Sequence, residues 1–438
     1  MIRIIQASDA PAVVALLDRG PRRDAEIEKR VARIVSAVRR DGDRALLAFA
    51  KQFDNLAVPV EVTREEMRDA GTTLPREVRT AIATAARHIR HVARRQVPKG
   101  WKTSPIAGVS IEQRVTPLDR VGCYVPGGRY PLPSSLLMSA IPAQVAGVPE
   151  IIAVCPRPDL TIMHAAAEAG VTRLLRLGGA HAIAALAYGT DTVPAVDKIV
   201  GPGNAYVAAA KAMVSADCAI DFFAGPSEIL VVSSNGRPAW IAADLLAQAE
   251  HDPDARAVLI TPSETLARAV AGEVARQMPP DGPAQTAIER NGAILVTRSI
   301  DEAVALSERM APEHLVCDSD AMAKRLRRAG TVFVGHHSAQ ALGDYVTGSN
   351  HVLPTSGAAR ARGGLSAADF VRVANVQRVS AAGLRRLTPA AVALAGAEGL
   401  SAHAASIRIR TPNPPSPRLR RGKRQTTDRR PQTANREP

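Results

Sequence analysis

Between residues 24 and 97, apolar positions recur every three or four residues, as in DAEIEKRVARIVSAVRR and PREVRTAIATAARHIRHVARRQ. That spacing gathers them on one helical face and predicts a run of helices. Thr63 followed by Glu66 has the form of a capping box and marks one helix start. From Asp119 the period changes. RVGCYV, EIIAVCP, RLLRLGG and KIVGPG are short apolar runs ending in Gly or Pro, separated by helical stretches such as SSLLMSAIPAQVAG and TIMHAAAEAG. Strands alternating with helices predict a parallel sheet covered on both faces. The pattern then repeats in EILVVSS, RAVLITP, GAILVTR, HLVCDS and TVFVG, so two α/β sheets in succession are expected. After Val373 the chain reads as helical again. Thr388-Pro389 predicts an N-cap with Pro at the first helical position, Gly399 closes that helix, and Ser401 can start another. Order is expected to end near Arg410.

Composition narrows this picture. The 438 residues are 46% hydrophobic and 22% charged, a globular balance with enough chain for several cores. The four cysteines, Cys123, Cys155, Cys218 and Cys317, are scattered with no CxxC, which argues against a cysteine metal cluster or a disulfide framework and fits a reducing cytoplasm. The start, MIRIIQASDAPAV, lacks a signal-peptide pattern, and no apolar run is long enough for a membrane span. A cytoplasmic protein is expected. The net charge of +14 is unevenly placed: residues 411–438 carry eight Lys/Arg against two Asp/Glu, leaving +8 for the rest. That Pro- and Arg-rich tail cannot bury enough surface to order itself. Its charge would suit nucleic acid, but the aromatics that stack bases are absent from it, so no nucleic-acid partner is expected.

Several segments place hard-to-bury groups in apolar or glycine-bounded settings. In LLAQAEHDPDA, Ile241, Asp244, Leu245, Gln248 and His251 share a helical face, so an inward stripe finishes in an amide and an imidazole. Such groups need hydrogen bonds or a metal, and a helix-terminal His on the last carbonyls is the plainer alternative. In APEHLVCD, Glu313 adjoins His314, a pair suited to proton transfer, although neighbouring side chains in regular structure point apart. LGDYVTGSNHVLPTSG is an irregular loop carrying Asp344, Asn350 and His351. Glu398 and His403 straddle Gly399, which by itself reads as a joint between helices. YVPGGRYPLPSS and IVGPGNAYVAAAKAMV are candidate phosphate cradles; the second is strand, glycine turn, helix, but does not match GxGxxG and lacks the usual ribose-binding acid. AGPSE adds a restricted loop with Ser227.

Taken together, GPGNAYVAAAK, AGPSEIL, DLLAQAEHDPDA, APEHL, GDYVTGSNHVLPT and AEGLSAH resemble, in order, the motifs of the histidinol dehydrogenase family, and the resemblance runs from the N-terminal helices to about Arg410. It implies one Zn2+ per subunit held by Gln248, His251, Asp344 and His403, and a catalytic pair, Glu313 and His314. His314 would be the general base and Glu313 would activate water in a four-electron oxidation of L-histidinol to L-histidine with two NAD+. Ser227, His351 and Glu398 match substrate-contacting positions, together with Gln248, His251, His314, Asp344 and His403. Tyr124 and Asn204 match NAD contacts, and a third falls on His181, where the family usually has Gln.

The resemblance also implies an architecture: a homodimer with shared active sites, built from two incomplete Rossmann-like domains with small N- and C-terminal elements. The expected boundaries are an N-terminal element at 1–23, a split first domain at 24–120 and 229–370, a second, NAD-side domain at 121–228, a C-terminal helical element at 371–410 completing the partner's site, and the tail at 411–438. The rival readings are an NAD-dependent dehydrogenase of the same superfamily acting on another polar alcohol, and a metal-dependent hydrolase.

Overall fold

The computed structural model describes residues 2–17, 24–127, 130–223 and 225–411. The basic tail beyond Thr411, and Gly128 of the PGG turn, lie outside the described residues. The chain divides into two compact units, residues 1–99 with 115–372, and residues 100–114 with those from 373 onward.

In the larger unit, one six-stranded sheet has the order Arg3–Gln6, Ala293–Val296, Arg256–Thr261, Glu228–Val232, His314–Cys317, Thr331–Val334, all parallel. Every residue of Glu228–Val232, Arg256–Thr261 and Ala293–Val296 is buried. This is why those strands, past Glu228 and Arg256 at two of their starts, read as near-continuous apolar runs: helices cover both faces. The second sheet has the order Glu61–Val62, Arg173–Leu175, Glu150–Val154, Arg120–Tyr124, Lys198–Val200, Ala219–Ile220, with only the first pairing antiparallel. In both sheets the chain winds outward one way from a central strand and then the other. The reversal falls between Glu228–Val232 and His314–Cys317 in the first sheet, and between Arg120–Tyr124 and Lys198–Val200 in the second. Such reversals open a crevice at the carboxyl ends of the two strands.

The nine strands expected from the two repeating stretches all form, and the fold is α/β with parallel sheets flanked by helices. Asp24 caps Ala25–Asp41 through Glu26 N–H and Ile27 N–H, and the Thr63–Glu66 capping box closes with both of its bonds.

The domain boundaries differ from those expected. Residues 24–96 do not join the 229–370 sheet. Val31, Val35, Val38 and Leu46 pack with Ile183, Leu186 and Val207, and Ile82, Ala86 and Ile89 pack with Leu137, Ile141 and Ile162, so these helices pack on the helices that flank the 120–220 sheet. What joins the other sheet is Arg3–Gln6, at its edge beside Ala293–Val296, so residues 3–6 are a sheet strand and not part of a separate element. The physical reason is coverage. Residues 135–143 and 180–186 of the segment's own helices are buried on every side, not only toward the sheet, and the amphipathic helices that precede the segment cover their outer faces.

The smaller unit holds two helices, Ala381–Ala397 and Ser401–Arg408, and a three-stranded sheet in the order Val371–Val379, Val109–Pro117, Trp101–Thr103. The expectation of helix from Val373 therefore fails for its first turn and more. The expected N-cap at Thr388 fails too. The helix begins at Ser380, whose hydroxyl accepts from Gly383 N–H at 3.2 Å, and Pro389 lies inside it. Gly108, at φ +90°, approaches Gly383 so closely that a Cβ would stand 2.7 Å from its nitrogen. That junction sets the start of the helix eight residues before Thr388, whose hydroxyl instead donates back to the Leu384 carbonyl at 2.8 Å. Among the described residues no helix is long and apolar enough to cross a membrane.

Candidate active site

Helix Ile300–Met310 stops at Ala311, which adopts a left-handed conformation (φ 50°), and Pro312 prevents its return. The strand that follows opens with the acid–imidazole pair. Because Glu313 precedes the first paired residue, its carboxylate is free to swing alongside His314, with Oε2 3.6 Å from Nδ1. That answers the objection that adjacent side chains diverge. Both residues meet the backbone of one residue, Glu228, on the neighbouring strand. Glu228 N–H donates to Glu313 Oε2 at 2.8 Å, and His314 Nδ1 lies 3.3 Å from the Glu228 carbonyl. A carbonyl only accepts, so Nδ1 carries the proton and Nε2 is left with a lone pair. The His314 ring stacks on Phe333 at 6.1 Å.

His314 Nε2 faces Asp344, 3.7 Å from Oδ1. Asp344 sits on the short helix Gln340–Tyr345, and Gln340 Nε2 donates to its Oδ2 at 2.8 Å. Two further imidazoles approach the same carboxylate, His351 Nδ1 at 3.8 Å and His251 Nε2 at 3.9 Å. His351 also donates from Nδ1 to the Asp344 carbonyl at 3.1 Å, so its Nε2 accepts from Ser135 at 3.2 Å, and both ring nitrogens are engaged.

The electrostatics follow from burial and this crowding. Burial alone would push Asp344 up, but His314, and beyond it His351 and His251, hold it below the usual carboxylate range. For His314, burial opposes the charged ring, yet Glu313 and Asp344 outweigh it and raise its pKa. His351 is lowered, chiefly by burial. Glu313 is pushed up to about 7, first by burial, with Glu228 and Asp344 adding to it against His314. One pocket thus holds an anionic acid, a poised acid and a proton-accepting imidazole.

The helix Pro238–Ala249 delivers the amide that raised the question of an inward polar stripe. Gln248 is 0% exposed, and neither its Oε1 nor its Nε2 has a hydrogen-bond partner. His251 lies two residues past the helix end and is exposed; only its backbone N–H returns to the Gln248 carbonyl, at 3.3 Å. The plainer alternative, an imidazole capping the last carbonyls, is not what forms. A buried primary amide with no partner is rare, and one that lies a helical turn before His251, whose imidazole approaches the Asp344 carboxylate, suits a cation. The donor set therefore fits a divalent metal, although among the described residues no group of three or more His, Cys, Asp or Glu is arranged to hold one. Ser227 immediately precedes Glu228 and is half-buried. Glu398 and His403 belong to the smaller unit, where both are exposed; Gly399 between them takes φ +74° and turns one helix into the next.

The residues expected to meet NAD gather at the other sheet. Tyr124 ends Arg120–Tyr124, and its buried hydroxyl accepts from Gly179 N–H at 3.1 Å. Asn204 caps Ala205–Val214 through Tyr206 N–H and Val207 N–H, both at 3.1 Å, and remains exposed. Both lie at the carboxyl-end crevice of that sheet. His181 is different. It is buried, its Nε2 lies 2.8 Å from Asp54 Oδ2, and Phe49 and Phe53 flank its ring, so that nitrogen is engaged inside the fold. Beside the crevice, Lys211 is buried and paired with Asp221; it also donates to the Gly201 carbonyl at 3.0 Å, while Asp221 Oδ2 accepts Gly201 N–H at 2.8 Å. Lys211, Asp221, Asp54, Gln340 and Glu228 were not foreseen. Nothing in sequence marks a charged or amide residue as buried until its partner is known.

The fold and pocket define an α/β enzyme with a built proton-transfer centre and, at its second sheet, a crevice of the kind that takes nucleotides. The comparisons make this particular. A family model described as histidinol dehydrogenase matches residues 17–411. The histidinol dehydrogenase of Methylococcus capsulatus is 45% identical over 403 residues, covering 88% of this chain and 92% of that one. That of Acinetobacter baylyi is 46% identical, covering 88% and 94%. The crystal structure of histidinol dehydrogenase from Elizabethkingia anophelis matches with a TM-score of 0.88 at 32% identity, over 93% of this chain and 98% of that one. The chain belongs to the histidinol dehydrogenase family, and is accordingly an oxidoreductase with a dehydrogenase's place in histidine biosynthesis.

Proposed function

We propose that the chain oxidises L-histidinol to L-histidine through bound L-histidinal. Histidinol, water and two NAD+ would give histidine, two NADH and protons. The observation that carries this reading is the buried Glu313–His314 pair, aligned on the backbone of Glu228 and facing Asp344, in a member of this family. His314 Nε2, its lone pair set free by the Nδ1 bond, takes the proton of the substrate hydroxyl. Glu313, as carboxylate, takes a proton from the water that hydrates the aldehyde. His314 then accepts a second hydroxyl proton in the second oxidation. Ser227, His351 and Glu398 would contact the substrate, the carboxylate of Glu398 suiting a cationic amino alcohol. Gln248, His251, Asp344 and His403 would hold zinc, which when bound supplies a Lewis-acid grip on the substrate's nitrogens. Tyr124, Asn204 and the Gly201 turn would cradle NAD+, the hydride acceptor, at the carboxyl-end crevice of their sheet; His181 would act there from behind, through Asp54.

A homodimer in which the smaller unit lends Glu398 and His403 to the partner's site completes the reading, with a cytoplasmic setting supported by four buried, unpaired cysteines. Equimolar mixing of His251→Ala and His403→Ala subunits should then restore about a quarter of wild-type activity, since half the dimers carry one intact site. No recovery after confirmed exchange would refute sharing. The reaction itself is tested by NADH formation from L-histidinol before and after chelation. About two NADH per substrate, lost on chelation and restored by zinc, is the expected result. One NADH per substrate, or turnover indifferent to chelation, would overturn the corresponding part.

A further inference from the structure

The backbone N–H and carbonyl that align Glu313 and His314 both belong to Glu228, and the Glu228 side chain is itself unusually placed. It is 1% exposed. One oxygen takes Arg256 Nη1 at 3.0 Å, and the other takes Ser356 N–H at 2.9 Å. Arg256 is buried as well and reaches the Leu16 carbonyl. One carboxylate therefore joins two strands and the 355–357 turn. Ser356 in that turn stands at φ +54° and Gly357 at φ +78°. A non-glycine residue in the left-handed region is held there only by its surroundings, and here the Glu228 carboxylate receives its N–H.

From this arrangement we infer that Glu228 is a positioning residue for the reaction: its backbone N–H orients Glu313, its carbonyl fixes the proton of His314 on Nδ1, and its buried pairing with Arg256 and Ser356 keeps that stretch of backbone in place. The inference rests on the reading of Glu313 and His314 as the catalytic pair. Stability alone gives little reason for the ion pair, because a buried pair is often matched or bettered by apolar residues of similar volume. Its location supplies the reason, on the residue whose N–H and carbonyl meet the two reacting groups. There is an electrostatic corollary. The charged and titratable groups facing Glu313 are His314, Glu228 and Asp344, and Glu228 is one of the two anions that raise its pKa. Removing the Glu228 charge should let Glu313 ionise at lower pH.

The test uses full-length enzyme carrying Glu228→Leu with Arg256→Leu, which removes both charges together, and separately Glu228→Gln, which keeps the volume. Thermal unfolding checks that each folds; Glu228→Gln serves if the double variant does not, and the reverse. NADH production is then followed across a pH series at saturating and limiting histidinol. The expected result is a fall in kcat of about 10²-fold from misplacement of the pair, with KM for histidinol changed far less, and an acid limb displaced to lower pH. A purely structural residue would lower the melting temperature without moving the acid limb. A folded variant with wild-type kcat and an unmoved acid limb overturns the inference. Glu313→Gln is measured alongside. If it keeps its kcat, the catalytic-pair reading falls and the positioning role with it. If it loses kcat while the Glu228 variants do not, the positioning role alone falls.

Discussion

Replacing Gln248 with Leu should stabilise the metal-free protein while removing its capacity to hold zinc. The amide is fully buried, and both of its polar atoms lack partners. Each unmade hydrogen bond in an interior leaves a desolvation penalty of about 1–3 kcal/mol. Leucine has similar volume and no polar atoms, so the penalty disappears, less about 1 kcal/mol for the different branching in a packed site. A net gain of about 1–5 kcal/mol follows for the two atoms together, which for a chain of this size corresponds to a rise in Tm of roughly 1–6 °C. The assay is thermal unfolding of chelated wild type and chelated Gln248→Leu, followed by both after zinc is restored. Wild type should gain stability with zinc by mass action, and the variant should gain little. Metal content after dialysis gives a second readout, independent of turnover. A chelated variant that melts at or below chelated wild type refutes the claim that the amide is unsatisfied. A variant that takes up zinc as wild type does refutes its assignment as a ligand.

Burial pushes the Glu313 carboxyl up to about 7, and only its ionised form can take a proton from water. Turnover should therefore fall as pH drops through about 7, by about tenfold per pH unit below it, a limb visible in kcat against pH. Lys211→Met leaves the buried Asp221 carboxylate uncompensated and should cost about 3–5 kcal/mol in urea unfolding, part of it recovered by adding Asp221→Asn, which removes the charge and keeps an acceptor oxygen for Gly201 N–H. Gly201 stands at φ +114° with a would-be Cβ 2.2 Å from the Tyr124 carbonyl. Gly201→Ala should therefore shift the turn and weaken NAD+ binding at least about tenfold in direct titration, the distortion being one that no L side chain avoids.

Periodicity made much of this molecule legible. Glu228–Val232 and Arg256–Thr261 could be read because strands buried on both faces carry near-continuous apolar runs, here ILVV and AVLI, and Ala25–Asp41 because its stripe repeats at the helical spacing. The pieces of the site were legible for a related reason. Gln248, Glu313, His314 and Asp344 are groups that an apolar or glycine-bounded context does not readily bury, so each invited a question. What the chain order left open was partnership. Arg3–Gln6 is too short to announce that it joins a strand nearly three hundred residues later. The helices of residues 25–96 show an apolar face without saying which sheet will cover it. Glu228 reads as one more charged residue until Arg256 and Ser356 are seen around it, and His181 reads as a cofactor contact until Asp54 takes its nitrogen. Local spacing reports which way a side chain must face, because backbone geometry repeats within a few residues. Which distant group it meets depends on how the layers stack to bury the whole apolar surface, and that is settled only when every layer is in place.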